Sequence, residues 1–205
     1  MLFRSLEVGQ TARPEHQTLQ GLRITDLARL RGQDPLDAFF DLALQENLQT
    51  HFVGKFFQNQ DEGVAPLLKH PASVVTLSDA GAHLSYMCDA GFGLHFLAHW
   101  VRETGHFTMA EGIRRLTSQP AQRFRIPQRG RLQEGAPADM LLFDPQTVGI
   151  SKTMPRHDLP TGAQRMIREP SGVHGVWVNG TLVHNGREAI PLAHGPGHLL
   201  DRFDA

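Results

Sequence analysis

Several residues in this chain have types and spacings that could carry chemistry. Asp79 comes just after Ser73-Val74-Val75-Thr76-Leu77, a β-branched run that reads as a short buried strand stopping at Ser78-Asp79. In a parallel α/β barrel the loops at the C-terminal ends of the strands build the active site. A carboxylate there can accept a proton from a metal-bound water. An isolated Ser-Asp can equally cap a helix or close a turn. His83 lies four residues beyond Asp79. It could contact a substrate or a transition-state oxygen, or bond only to loop backbone. His95 and His99 stand four apart on an expected helix, so they share one face, where two imidazoles could bind zinc. No general-base glutamate of the His-Glu-x-x-His type separates them, and Phe96, Leu97 and Trp100 favour a packed helix. Cys88 has no second cysteine and reads as a small buried residue.

Other candidates carry less. His106, His157, His174, His184, His194 and His198 are scattered and read as surface or loop residues. Gly91-Phe92-Gly93 is not followed by the Gly-Lys-Ser/Thr of a phosphate loop. Phe39-Phe40 and Phe56-Phe57 lack interleaved basic residues and read as core or anchor positions, not as a base-stacking platform.

The elements that must position these residues follow from periodicity and punctuation. Leu2, Phe3, Leu6 and Val8 read as a ragged first strand. Thr25 or Asp26 is placed to cap a helix carrying Leu27, Ala28 and Leu30. Gly32-Gln33-Asp34-Pro35 reads as a helix stop and a new start, with Pro35 at the first helical position. Helices are also expected from Asp61 to Leu68, from Phe92 to Arg102 and from Thr108 to Leu116, with a short one ending near Phe124. Thr108-Met109-Ala110-Glu111 has the spacing of a capping box. After Pro127 glycines punctuate short strands: Met140–Phe143, then Val173–Val178 and Thr181–His184 flanking the hairpin signal Asn179-Gly180.

Composition excludes several classes. Of 205 residues, 40% are hydrophobic and the net charge is −1, so neither a nucleic-acid coat nor an anionic-membrane binder is expected, and disorder is not. No apolar run approaches membrane-spanning length. A lone cysteine excludes an intrachain disulfide and suits a reducing cytoplasm. A homo-oligomer is compatible with this composition.

Taken together, Ser78-Asp79-Ala80-Gly81-Ala82-His83, Trp100-Val101-Arg102-Glu103, Leu116-Thr117-Ser118-Gln119-Pro120-Ala121 and the stretch Arg129-Gly130-Arg131-Leu132 through Gly135-Ala136-Pro137-Ala138-Asp139 resemble the C-terminal part of amidohydrolase-superfamily enzymes. The resemblance is greatest to the N-acyl-D-amino-acid deacylase (D-aminoacylase) group, and Asp158-Leu159-Pro160 and Gly172 to Gly180 fit it as well. It implies a zinc-dependent α/β hydrolase. Residues 1–127 would supply the last strands and helices of a TIM-like barrel, and residues 128–205 the β-rich part of a small appended β-sandwich. The substrate implied is a small-molecule amide. Asp79 would be the aspartate after the last barrel strand, at the metal, acting as general base and then as proton donor to the leaving amine. His83 would contact the substrate.

The chain departs from the family in two respects. The family's His-x-His of the first barrel strand is absent, and so are its bridging lysine, glutamate or cysteine and the histidines of the middle strands. The arginine that helps hold the substrate carboxylate is replaced by the stretch Leu84-Ser85-Tyr86-Met87-Cys88-Asp89. A (β/α)₈ barrel needs about 250 residues. The expectation is therefore a C-terminal fragment of a longer enzyme with Met1 as an internal methionine. The alternative is an inert domain that associates with a partner chain supplying the rest of the barrel.

Overall fold

Near the N-terminus, helix boundaries follow local chemistry. Arg23, with extended backbone, precedes α1 (Ile24–Arg31), so the helix starts ahead of the expected caps at Thr25 and Asp26. Gly32 ends it in left-handed backbone at φ 64°, a conformation that costs a residue without Cβ least. Asp34 then caps α2 (Pro35–Gln45), its carboxylate accepting from the Leu36 N–H at 2.9 Å, with Pro35 opening the helix. Leu2–Arg4 forms a short 3₁₀ turn, and the ragged strand narrows to β1 (Leu6–Gln10), paired antiparallel with β2 (His51–Gly54). The computed structural model that shows these elements describes residues 2–55 and 60–201. Phe56 and Phe57 lie outside the described residues.

The chain forms two units, Met1–Leu67 and Leu68–Ala205. The core of the first is Val8, Ile24, Leu27, Ala28, Ala38 and Leu42, with Phe3, Leu6, Leu19, Phe39 and Phe52 packed against it. Each large side chain so buried contributes about 1.5–3 kcal/mol. Phe39 and Phe52 meet at 4.4 Å between ring centres. Phe39 thus takes the expected core role, while Phe40 is exposed. One acid is buried beside this core. The Glu46 side chain accepts from the Ala12 and Arg13 N–H groups and meets His16 Nδ1 at 2.6 Å. Burial alone would raise its pKa. The backbone N–H groups and His16 outweigh that and hold the Glu46 carboxyl below its ordinary range.

Helix α3 spans Asp61–Lys69. In the second unit α4 (Phe92–His95) runs on into a π-helix, Phe96–Glu103. The Thr104 N–H reaches the His99 carbonyl five residues back at 2.9 Å, as that wider helix requires. Thr108 and Glu111 cap α5 (Met109–Leu116) reciprocally, as the spacing predicts, and α6 (Ser118–Arg123) follows. Phe96, Leu97, Ala98, Trp100 and Val101 are buried along the π-helix, and Phe96 meets Phe107 at 5.1 Å. Gly112 lets α5 approach closely, since a Cβ there would stand 2.6 Å from Val101 Cγ2.

Strands dominate after α6. β3 (Met140–Phe143), β8 (Val173–Val178) and β9 (Thr181–His184) form one sheet in the order β3-β8-β9. The β8–β9 turn places Asn179 at φ 47° and Gly180 at φ 78°, the backbone that an Asn-Gly hairpin needs. β4 (Gly149–Ile150) pairs with β7 (Pro170–Ser171), and β5 (Met154–Arg156) with β6 (Arg165–Ile167). The result is a mixed helix-and-sheet fold.

One expected element is overturned. Residues 73–77, read as a buried strand, carry no strand pairing among the described residues, and Leu77 is 82% exposed. Every named strand pair among the described residues is antiparallel. A β-branched run becomes a strand only when neighbours take up its N–H and C=O groups, and no described strand lies alongside this one. No helix among the described residues is long and apolar enough to cross a membrane.

Candidate functional site

The segment that carries Asp79 and His83 is a succession of turns. The Ala80 N–H donates to Ser78 Oγ at 3.2 Å and the Ala82 N–H to the Asp79 carbonyl at 3.1 Å. Asp79, Gly81 and His83 take left-handed backbone at φ 50°, 95° and 51°. Aspartate and glycine are among the residues that accept this conformation most readily. The Tyr86 and Met87 N–H groups then close on the His83 carbonyl at 3.1 and 3.0 Å. The His83 ring stacks on Tyr86, 5.1 Å between centres and 25° from parallel. Strand β6 holds the far end of the turn. The Met166 N–H donates to the Leu84 carbonyl at 2.7 Å, and Gln164 Nε2 donates to that of Ser85 at 3.4 Å.

Asp79 and His83 are both exposed. Among the described residues no hydrogen bond or ion pair reaches the Asp79 carboxylate, and none joins it to His83. The carboxylate is thus open to an incoming group. Tyr86, the partner that fixes the His83 ring, went unnoticed in the sequence because its only signal there is a spacing of three within a loop. Between Gln164 and Met166, Arg165 grips Asp158 through two bonds of 2.6 and 2.8 Å. That grip holds the Asp158 carboxyl below its ordinary pKa.

The remaining candidates resolve differently. His95 and His99 do share a face, but their rings stack at 5.2 Å and 10° from parallel. Stacked rings do not aim their nitrogens at one point between them, as a shared ion requires. His99 Nδ1 also meets Glu103 at 3.3 Å, and this contact leads the interactions that hold the Glu103 carboxyl below its usual range. Cys88 is half-buried, not buried. His106, read as a surface or loop residue, lies in the loop before α5, with a buried Nδ1 that has no hydrogen-bond partner among the described residues and its ring edge-on to Trp100 at 5.5 Å.

The implied zinc can be tested against these donors. A catalytic zinc takes three protein ligands within about 2.0–2.3 Å. Among the described residues no three His, Cys, Asp or Glu side chains gather to hold a metal ion. Asp79 stands without a second ligand beside it. These residues do not fit a zinc site by themselves.

The sequence profile of the Amidohydrolase family matches residues 5–184, which includes the Asp79 turn and every strand from β1 to β9. The chain belongs to the amidohydrolase family. This amidohydrolase chain is 36% identical over 87 residues to the D-aminoacylase of Alcaligenes xylosoxydans xylosoxydans, covering 42% of the chain and 16% of that protein. It is also 36% identical over 106 residues to the N-acyl-D-glutamate deacylase of the same organism, covering 52% of the chain and 19% of that protein. A solved N-acyl-D-glutamate deacylase from Bordetella bronchiseptica, complexed with zinc and a phosphonate inhibitor, superposes with a TM-score of 0.46 at 25% identity, covering 90% of this chain and 36% of that one. The matched stretches thus span less than a fifth of the length of these curated relatives.

Proposed function

We propose that this chain carries the aspartate-bearing, C-terminal part of a zinc-dependent amidohydrolase. Its fold would be the end of a TIM-like barrel followed by part of a β-sandwich. Its reaction would be hydrolysis of the amide bond of N-acyl D-amino acids or of a related small amide. The observation that carries this reading is the family match across residues 5–184, with Asp79 inside it. Asp79 is the group here that would move the proton. It accepts one from the attacking water and delivers it to the departing nitrogen, which cannot leave as an amide anion. Its exposure supports that role, because an acceptor must be reachable. His83, fixed by Tyr86, would lie against the substrate. The charge balance and the lone Cys88 support a cytoplasmic protein acting on small molecules, with no nucleic-acid or membrane partner.

The described residues do not gather the ligands of a zinc ion. That observation also favours a second reading, in which the 205-residue chain is inert alone and associates with a partner chain that completes the barrel. One experiment separates the two. The 205-residue chain and a version extended by the upstream coding sequence are purified, and zinc content and turnover of N-acyl-D-amino acids are measured for both. Turnover and zinc in the extended protein alone support the first reading. Stoichiometric zinc and turnover in the 205-residue chain itself would overturn the fragment component. No turnover of any amide by the extended protein would leave the second reading. Asp79→Asn in the active form should cut turnover by roughly two to four orders of magnitude with zinc content nearly unchanged. Unaltered activity would remove Asp79 from the mechanism.

A further inference from the structure

Helices α5 and α6 bring three arginines to one cleft. Arg114, Arg115 and Arg123 line a space of about 570 Å³ together with Pro71, Gln119 and Gln122. Arg115 is only 6% exposed. Its guanidinium donates to the carbonyls of Lys69 at 3.0 Å and Ser73 at 3.4 Å and lies 5.2 Å from the centre of the Phe107 ring. These partners are neutral dipoles and a ring face. Among the described residues no carboxylate stands within ion-pair distance of any of the three arginines. Arg123 uses one donor on the Pro71 carbonyl at 3.0 Å, and Arg114 makes no hydrogen bond among the described residues. Glu111, the acid of α5, is committed to the N–H and hydroxyl of Thr108 at 2.8 Å each. Lys69, 6.0 Å from the centre of the same Phe107 ring, adds further positive charge. A cation taken out of water without a paired counter-ion is costly, and Glu111, which attracts Arg114 and Arg115 only from beyond ion-pair distance, leaves this wall short of negative charge.

A second observation specifies that anion further. Gln119 is 7% exposed and lines the same cleft. Its Nε2 donates to the Ser73 carbonyl at 3.0 Å, while its Oε1 is buried without a donor. Reversing the amide would only leave the nitrogen facing no acceptor while setting its oxygen against that carbonyl. The wall thus presents several uncommitted donors, with one uncommitted acceptor just beneath its surface.

We propose that this cleft binds a hydrogenphosphate group, free or as a phosphate monoester. Its charged oxygens lie against Arg114 and Arg123, beside the buried charge of Arg115, and its P–OH donates to Gln119 Oε1. The cleft volume suits a small ligand, and planar guanidinium forks suit phosphate oxygens. Sulfate matches phosphate in shape and carries at least as much charge but has no O–H, so a preference for phosphate would report the Gln119 contact.

The test uses the 205-residue chain near pH 5.5, where both phosphates keep a P–OH, at constant ionic strength, with calorimetric titration of inorganic phosphate, phenyl phosphate and sulfate. The expected result is saturable phosphate or phenyl phosphate binding with sulfate about tenfold weaker or more, the loss of one charge-assisted hydrogen bond. Comparing phosphate with phenyl phosphate distinguishes a free ion from a monoester. Arg114→Ala/Arg123→Ala removes two exposed side chains and leaves the buried ones in place. It should retain the wild-type circular dichroism spectrum and bind at least about tenfold more weakly. Equal affinity for sulfate, no saturable binding of either phosphate, or undiminished binding by the double variant would overturn the proposal.

Discussion

Asp79 and His83, four residues apart, both hold left-handed backbone, at φ 50° and 51°. The pairing turns the chain twice within one short segment and leaves both side chains exposed. Asparagine and glycine take this conformation readily, and alanine does not. Asp79→Asn and Asp79→Gly should therefore melt within about a degree of the wild type, while Asp79→Ala should melt about 2–4 °C lower. Thermal unfolding followed by circular dichroism reads the difference. Equal melting of all three would mean that position 79 does not hold that backbone in solution.

Glu46 makes the first unit sensitive to acid. Its folded pKa lies below the usual value of 4.5. A carboxyl depressed by folding contributes stability that is present above its unfolded pKa and is lost as pH falls through the folded one. Unfolding against pH should therefore show a loss of stability below about pH 4.5. Glu46→Gln should blunt that loss and lower stability by about 1–3 kcal/mol at neutral pH, because the Ala12 and Arg13 N–H groups lose the charged acceptor that the buried Glu46 provides. An unchanged acid profile in the variant would remove Glu46 as the cause.

Gly112 offers a packing test that opposes helix propensity. Alanine gains about 1 kcal/mol over glycine inside a helix. Here its Cβ would stand 2.6 Å from Val101 Cγ2 and 3.4 Å from Leu97 Cδ2. Overpacking of this kind costs about 1–3 kcal/mol. Gly112→Ala should thus destabilise the chain, and Val101→Ala added to it should cost less than in the wild type. Additive effects in the double-mutant cycle would show that α5 and the π-helix do not approach this closely.

The capping box at the start of α5 gives a simpler expectation. Thr108→Ala removes the hydroxyl that accepts from the Glu111 N–H at 3.3 Å and should cost about 1 kcal/mol. Thr108→Ser keeps the oxygen and should recover most of it. Denaturant midpoints at constant slope read both changes.

Much of this was legible along the chain because its causes are local. Gly32, Asp34 and Pro35 stop one helix and start the next through their own backbone preferences, and Thr108-x-x-Glu111 and Asn179-Gly180 act within a few residues. The Asp79 turn was legible only in part. The residues pointed to a proton-transfer site, but the segment expected to present it as a strand has no strand pairing among the described residues. Pairing is a property of neighbours, and a β-branched run cannot supply its own.

By itself, then, the sequence determined most of the helices and their caps, the hairpin and the family, since each depends on residue types at short, fixed spacing. Only the tertiary structure decided which distant groups meet. Glu46 finds His16 thirty residues back in the chain. Arg115 and Gln119 converge on the carbonyl of Ser73, more than forty residues away. The stacked rings of His95 and His99 turned a plausible ligand pair into a packing contact. Such outcomes depend on burial and on the competition for hydrogen bonds in a shared volume, and no local spacing encodes either.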